Sequence, residues 1–448
     1  MNAAMANQST PSPASSFSTN DTATFIGHLC RHTRRAAMFG QYPARATKLG
    51  ETAGIASAAV GVRVANRVSL RHTEAMDYPQ LLSSRSFVGL TLPNRIVMPP
   101  LVIWQAGLDG LVTDEHVAHY RRSAGPGLVI VEATAVSPEG RLAATQIGAW
   151  NDGQTEGLAR LAAEIHRAGA VAGIQIHHAG GRTSAEKNGG LPILVPSRTA
   201  RTPAEAHELT DEEIQSIVDA FAATARRCVE AGFDLIEIHG AHGYLGSQFM
   251  APSTNLRTDR WGGSLENRCR FLVECVRAVR AAVGADGGVT AGRHVVTAVR
   301  LGAADGAEPA LAVEEGCAAA RLLVDAGAEL LHVSNAGSMP AAAKDARWSP
   351  TMELARAVRG SLDGEVPVIG VGGIKTPDEA EAVLAEGVCD LVAVGRGMLA
   401  DPEWAAKCVA GRAEQIDRCI DCKPRCFHFT EPAKCPPRQR RQRWERLA

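Results

Sequence analysis

No run of about 18 or more apolar residues occurs anywhere in this 448-residue chain, so no transmembrane helix is expected. An excess of charge of either sign is also missing, with 47 Lys and Arg against 48 Asp and Glu and a formal net charge of -1. That balance gives no global electrostatic reason to expect nucleic acid or an acidic membrane surface as the partner, and it favours a small, neutral or weakly charged substrate. A disulfide framework is missing too. Of the eleven cysteines, Cys30, Cys228, Cys269, Cys275, Cys317, Cys389 and Cys408 are scattered singly, as small core or surface residues of a reducing compartment are. The cytoplasm is therefore the expected location.

What is present falls into three zones. Residues 1–75 are rich in Ser, Thr, Ala and Asn, with eight Lys/Arg against only Asp21, Glu51 and Glu74. This is the composition of an organelle transit peptide, which would change the location, and equally of a disordered extension ahead of Met76. Residues 76–412 alternate short β-branched runs with helical stretches, the signature of repeated βα units and a parallel sheet. Eight strands are predicted: Arg95–Met98, Leu128–Ala133, Val171–His177, Leu235–Ile238, Val295–Leu301, Leu330–Val333, Val368–Val371 and Leu391–Val394. Asp211–Glu230 reads as a helix, with Thr210 as N-cap, Glu213 three residues on and Gly232 closing it. Eight such units give an α/β fold, a (β/α)₈ TIM barrel, with a doubly wound open sheet as the alternative. Residues 413–448 are rich in Cys, Pro and Arg, carry five arginines between Arg438 and Arg446 without a clear apolar period, and read as a short appendage.

In a TIM barrel the chemistry lies at the C-terminal ends of the strands, so the polar residues just beyond each predicted strand are the candidates. They are Pro99, Pro100 and Trp104; Ala133 and Thr134; Gln175, His177 and Arg182; His239, His242 and Tyr244; Arg300; Gly372 and Gly373; and Gly395 and Arg396. The glycines after the seventh and eighth strands let backbone N–H groups approach a phosphate at the position where such barrels bind one, and Arg396 can add a bidentate contact. Two imidazoles and a phenol within six residues, His239 to Tyr244, are suited to donate hydrogen bonds to a carbonyl or nitro oxygen and to deliver a proton.

Four stretches resemble one family: Asn94 to Pro100, Ile174 to His177, Ile236 to Leu245 and Asn255 to Arg268 look like Old Yellow Enzyme flavoproteins. The resemblance runs from about Asp77 to Ala410. It implies FMN as cofactor, NAD(P)H as hydride donor and reduction of activated C=C bonds, such as those of α,β-unsaturated carbonyl compounds. Carried over, Pro99, Pro100, Ala133 and Gln175 contact the isoalloxazine. Arg300 faces its pyrimidine edge, with Arg293 as the competing candidate, and Gly372, Gly373, Gly395 and Arg396 hold the FMN phosphate. His239 and His242 grip the substrate oxygen, and Tyr244 is the proton donor. Val102 stands where a flavin-tuning Cys often sits in the family. The loop Asn335–Pro350 is expected to cap the substrate. A homo-oligomer is compatible with all of this.

Cys419, Cys422, Cys426 and Cys435 have the C-x₂-C-x₃-C…C form, which can hold a [4Fe-4S] cluster or a tetrahedral zinc, or stay as free thiols. A similar motif follows the barrel in 2-enoate and 2,4-dienoyl-CoA reductases. An oxidative amine demethylase, or an electron-transfer subunit using FMN and a cluster, is the alternative function.

Overall fold

The computed structural model describes residues 77–200, 202–284, 293–338, 345–423, 426 and 434–447. The transit-peptide or extension reading of residues 1–75 lies outside them.

Eight parallel strands close into a barrel: β1 Ile96–Met98, β2 Leu128–Ala135, β3 Val171–His177, β4 Leu235–Gly240, β5 Val296–Gly302, β6 Leu330–Ser334, β7 Val368–Val371 and β8 Leu391–Ala393. The ring closes where Val392 and Ala393 of β8 pair with Ile96 and Val97 of β1. Each expected strand is present to within two residues at either end, and the open-sheet alternative is excluded.

The lower interior of the barrel is apolar, filled by Val97, Leu128, Ile130, Leu235, Val296, Leu330, Ile369 and Leu391. An antiparallel hairpin, Arg85–Phe87 with Leu90–Leu92, closes the N-terminal end and buries Leu92 in the same cluster. Polar side chains are thereby left to the other end of the strands.

The outer layer is helical: α1 Asp114–Arg122, α2 Thr155–Arg167, α3 Asp211–Glu230, α4 Leu245–Met250, α5 Leu265–Val283, α6 Val313–Asp325, α7 Pro350–Ser361, α8 Pro377–Ala385, α9 Arg396–Ala400 and α10 Trp404–Val409. Helix α3 begins as its sequence indicates. Thr210 Oγ1 accepts from the Glu213 N–H at 3.2 Å, Glu213 Oε2 accepts from the Thr210 N–H at 2.8 Å, and Gly232 takes φ +99° beyond the C-terminus.

The C-terminal segment differs from expectation, because it contains a helix, α11 Pro436–Leu447, where no apolar period marks one. Prolines 436 and 437 suit a first helical turn. Ion pairs dock its described side chains on the barrel. Asp401, fully buried, accepts from Arg441 Nη1 at 2.7 Å, from Lys407 Nζ at 2.6 Å and from the Asp417 N–H at 3.0 Å.

Candidate active site

Side chains two apart on a strand share a face, and here that period carries polar groups to the barrel mouth. Gln175 and His177 end β3, Glu237 and His239 end β4, Arg300 sits on β5, and His332 and Ser334 end β6. The register lines up Gln175 with Glu237, and sets His239 beside Arg300 beside His332. Glu237 holds this layer together: one carboxylate oxygen accepts from Gln175 Nε2 at 2.7 Å and the other meets His332 Nδ1 at 2.8 Å.

Above it runs a relay of imidazoles. His177 Nδ1 meets His239 Nδ1 at 3.0 Å, His239 Nε2 meets His242 Nδ1 at 2.9 Å, and His242 Nε2 meets Ser334 Oγ at 2.7 Å. Each contact needs one donor and one acceptor, so three neutral rings satisfy it in two opposite polarities. Either polarity occupies both ring nitrogens of His239 and of His242. Burial pushes His177 down to about 3, and burial together with neighbouring imidazoles and Arg300 holds His239 and His242 well below the ordinary range.

Tyr244 stands over the relay, its ring 4.5 Å from that of His177 and 4.9 Å from that of His239. Burial raises its pKa, so the phenol stays protonated at neutral pH. His242 takes φ +61°, a conformation a non-glycine residue adopts at a cost. Its N–H donates to Asn335 O at 2.9 Å and its carbonyl accepts from Arg182 Nη2 at 3.2 Å, so the backbone is held from both sides.

The residues at the mouth fit a flat polar cofactor. Arg300 Nε, His177 Nε2 and His332 Nε2 are buried without a hydrogen-bond partner, and all three come from neighbouring strand ends. Buried polar atoms left unpaired are costly, so this group, one guanidinium donor and two imidazole nitrogens, points to a ligand that completes them. Pro99 and Ala133 are buried beside this layer, and the Ala133 carbonyl accepts from Gln146 Nε2 at 2.7 Å. Gly372 and Gly373 have φ +123° and +81°, and a Cβ on Gly372 would lie 2.1 Å from Thr351 Oγ1, so only glycine fits there. Arg396 is half-exposed and donates to Asp421 Oδ1 at 2.6 Å. Arg293, the competitor of Arg300, lies at the other end of the barrel, where it donates to Asp234 at 2.6 Å and to the Gly232 carbonyl at 3.1 Å.

A cavity of about 480 Å³ adjoins the mouth, walled by Arg182, Gly243, Gln248, Thr254, Asp305 and Ser338 among others. Of the loop expected to cap it, residues 339–344 lie outside the described residues.

One buried acid escaped the sequence reading. Register slips between Val131 and Thr134, a bulge of the kind that re-aims a side chain, and Glu132 accepts from the Ile103 N–H at 3.1 Å. Tyr120 and His116 of α1 flank it, with the Tyr120 hydroxyl accepting from the Glu132 N–H at 2.9 Å. Desolvation pushes the Glu132 carboxyl up to about 8. Its folded pKa exceeds its unfolded one, so the stability of its neutral form is present below about pH 4.5 and is lost as pH rises toward 8. Glu132→Gln is therefore expected to gain stability over the parent between pH 5 and pH 9, by on the order of 4 kcal/mol. Denaturant unfolding of both proteins at the two pH values checks it, and a constant difference would show that the parent carboxyl is ionised throughout.

The four tail cysteines come together. Cys419, Cys422, Cys426 and Cys435 line one small cavity, of about 20 Å³, with Arg396, Leu399 and Ala400. Among the described residues no three His, Cys, Asp or Glu are close enough to hold a single metal ion.

The closed parallel barrel and its sequence profile together place the chain in one class, the NADH:flavin oxidoreductase type of barrel protein. The chain belongs to the NADH:flavin oxidoreductase / NADH oxidase family, whose sequence profile matches residues 86–415. The NADH oxidase of Thermoanaerobacter brockii is 39% identical over 358 residues, which are 78% of this chain and 54% of that protein, so the chain spans about half of that relative's length. Among solved structures, 2-naphthoyl-CoA reductase in complex with 2-naphthoyl-CoA superposes with a TM-score of 0.71 at 27% identity, over 79% of this chain and 55% of that one. The Old Yellow Enzyme homologue of Zymomonas mobilis superposes at 0.62 with 28% identity, over 73% and 92%. The resemblance to Old Yellow Enzymes is thus borne out.

Proposed function

We propose that the protein is an FMN-dependent ene-reductase that takes hydride from NAD(P)H and delivers it to the β-carbon of an α,β-unsaturated carbonyl or related compound. Bound FMN supplies the hydride chemistry. The observation that carries the reading is the hydrogen-bonded relay of His177, His239 and His242 with the Tyr244 ring packed beside it, and burial favours neutral imidazoles and a protonated phenol there. When a substrate oxygen takes the place of the contact between His239 Nε2 and His242 Nδ1, the neutral rings turn N–H groups toward it and stabilise the negative charge it gains as the alkene accepts hydride, without placing a permanent cation there. His239 and His242 grip that oxygen, and Tyr244 gives its proton to the α-carbon.

Toward the cofactor, Arg300 brings a buried positive charge to the pyrimidine edge, and Gln175 reaches the same ring system, oriented by Glu237. Backbone at Pro99, Pro100 and Ala133 lies against the isoalloxazine. Gly372, Gly373 and Gly395 open backbone N–H groups to the phosphate, with Arg396 beside them.

The tail holds a [4Fe-4S] cluster in this reading. Four thiols lining one cavity are the soft ligand set that such a cluster takes. Such ligands need reduced thiols, as the cytoplasm provides.

The deciding experiment is an anaerobic spectrum of the purified protein, followed by NADH or NADPH and then 2-cyclohexenone. Flavin bands should bleach with the nicotinamide and return with the enone, and iron and sulfide should be found together. Flavin that no enone reoxidises would move the assignment to amine oxidation or electron transfer.

A further inference from the structure

The cysteine segment reaches the barrel mouth through one carboxylate. Asp421 stands between Cys419 and Cys422, and its two oxygens are taken by two cations from different strand ends. Oδ1 accepts from Arg396 Nη1 at 2.6 Å, and Oδ2 pairs with Lys375 Nζ. Lys375 follows the glycine pair after β7, and Arg396 follows Gly395 after β8, so Asp421 ties together the two loops that frame the phosphate cradle. Arg396 also lines the small cavity walled by the four thiols. Asp421 itself takes φ +51°, a left-handed conformation that an L side chain rarely adopts. Whatever orders the four thiols thereby fixes the carboxylate, and through it the two cations.

We propose that Asp421 is a positioning residue that makes occupancy of the cysteine site set the grip of Lys375 and Arg396 on the FMN phosphate. This rests on the FMN and cluster readings above. The sign of its effect is diagnostic. Removing a carboxylate from between two cations leaves more positive charge, which by attraction alone would tighten a bound phosphate. A clamp predicts the opposite, because two long side chains that lose their shared partner lose the fixed geometry that made them a site.

The test is an FMN titration, read by quenching of flavin fluorescence, on the full chain as isolated and after the cluster is stripped with oxidant and chelator. The parent, Asp421→Asn and Asp421→Glu are compared, and thermal melts establish that each is folded. The FMN dissociation constant should rise at least tenfold in Asp421→Asn and recover in part in Asp421→Glu. Stripping should weaken the parent by a similar factor and change Asp421→Asn by less than twofold. Equal or tighter FMN binding by Asp421→Asn overturns the clamp, as does an equal loss in both chains on stripping. A chain that holds FMN but neither iron nor sulfide overturns the coupling and leaves the ene-reductase reading standing, whereas a folded chain that binds no FMN sinks that reading as well.

Discussion

Tyr244→Phe is expected to slow reoxidation of the reduced flavin by an enone by about 10²- to 10⁴-fold, the range a positioned general acid contributes. Its ring packs edge-on against His177 at 4.5 Å, and Phe keeps that packing, so flavin content and thermal stability should match the parent. His242→Ala removes a donor to the oxygen that builds charge, and should cost on the order of 3 kcal/mol in the same half-reaction. His239→Ala should cost a similar amount. The two imidazoles share one hydrogen bond at 2.9 Å, so the double variant should lose less than the sum of the single losses. Stopped-flow measurement of the two half-reactions checks all four variants. A Tyr244→Phe enzyme that reduces the enone at the parent rate would remove the phenol from the mechanism and leave the proton to solvent.

How far the sequence carries depends on whether a feature is local. The eight strands are legible because each is a short β-branched run with a turn or cap on either side, and the parallel order follows from the helices between them. His239, His242 and Tyr244 are legible for the same reason, since one six-residue segment places them all. Glu237 lies just two residues before that segment, yet its partners Gln175 and His332 come from β3 and β6, and only the register brings them within 2.8 Å. Glu132 is hidden more deeply, because the bulge after Val131 that aims it leaves no mark in composition. The tail helix escapes because the partners of Arg441, Asp401 and Glu403, lie more than thirty residues earlier, and no local apolar period marks the helix. Arg293 and Arg300 look alike in sequence and part only once the barrel shows which end each occupies.

Acid should unfold the protein from an unusually high pH. Burial keeps His116 and His178 down to about 4 and His177 to about 3, holds His239 and His242 well below the ordinary range, and lowers His332. Their folded pKa values lie below an unfolded value near 6.5, so the stability they contribute is present above that pH and is lost as pH falls through it, because only the unfolded chain takes up the protons. Between pH 7 and pH 5 each of the five rings held far below 6.5 gives up about 2 kcal/mol, and His332 acts in the same direction. Glu132 acts in the opposite sense, since the unfolded chain binds a proton more weakly there than the folded one, and returns about 3 kcal/mol over the same interval. Six imidazoles outweigh one carboxyl, so denaturant unfolding should show a net loss of at least about 4 kcal/mol from pH 7 to pH 5. Stability that stays level over that interval would mean that the rings at the barrel mouth are protonated in the folded state, and a relay that already carries a proton could not serve as the neutral donor pair on which the proposed chemistry rests.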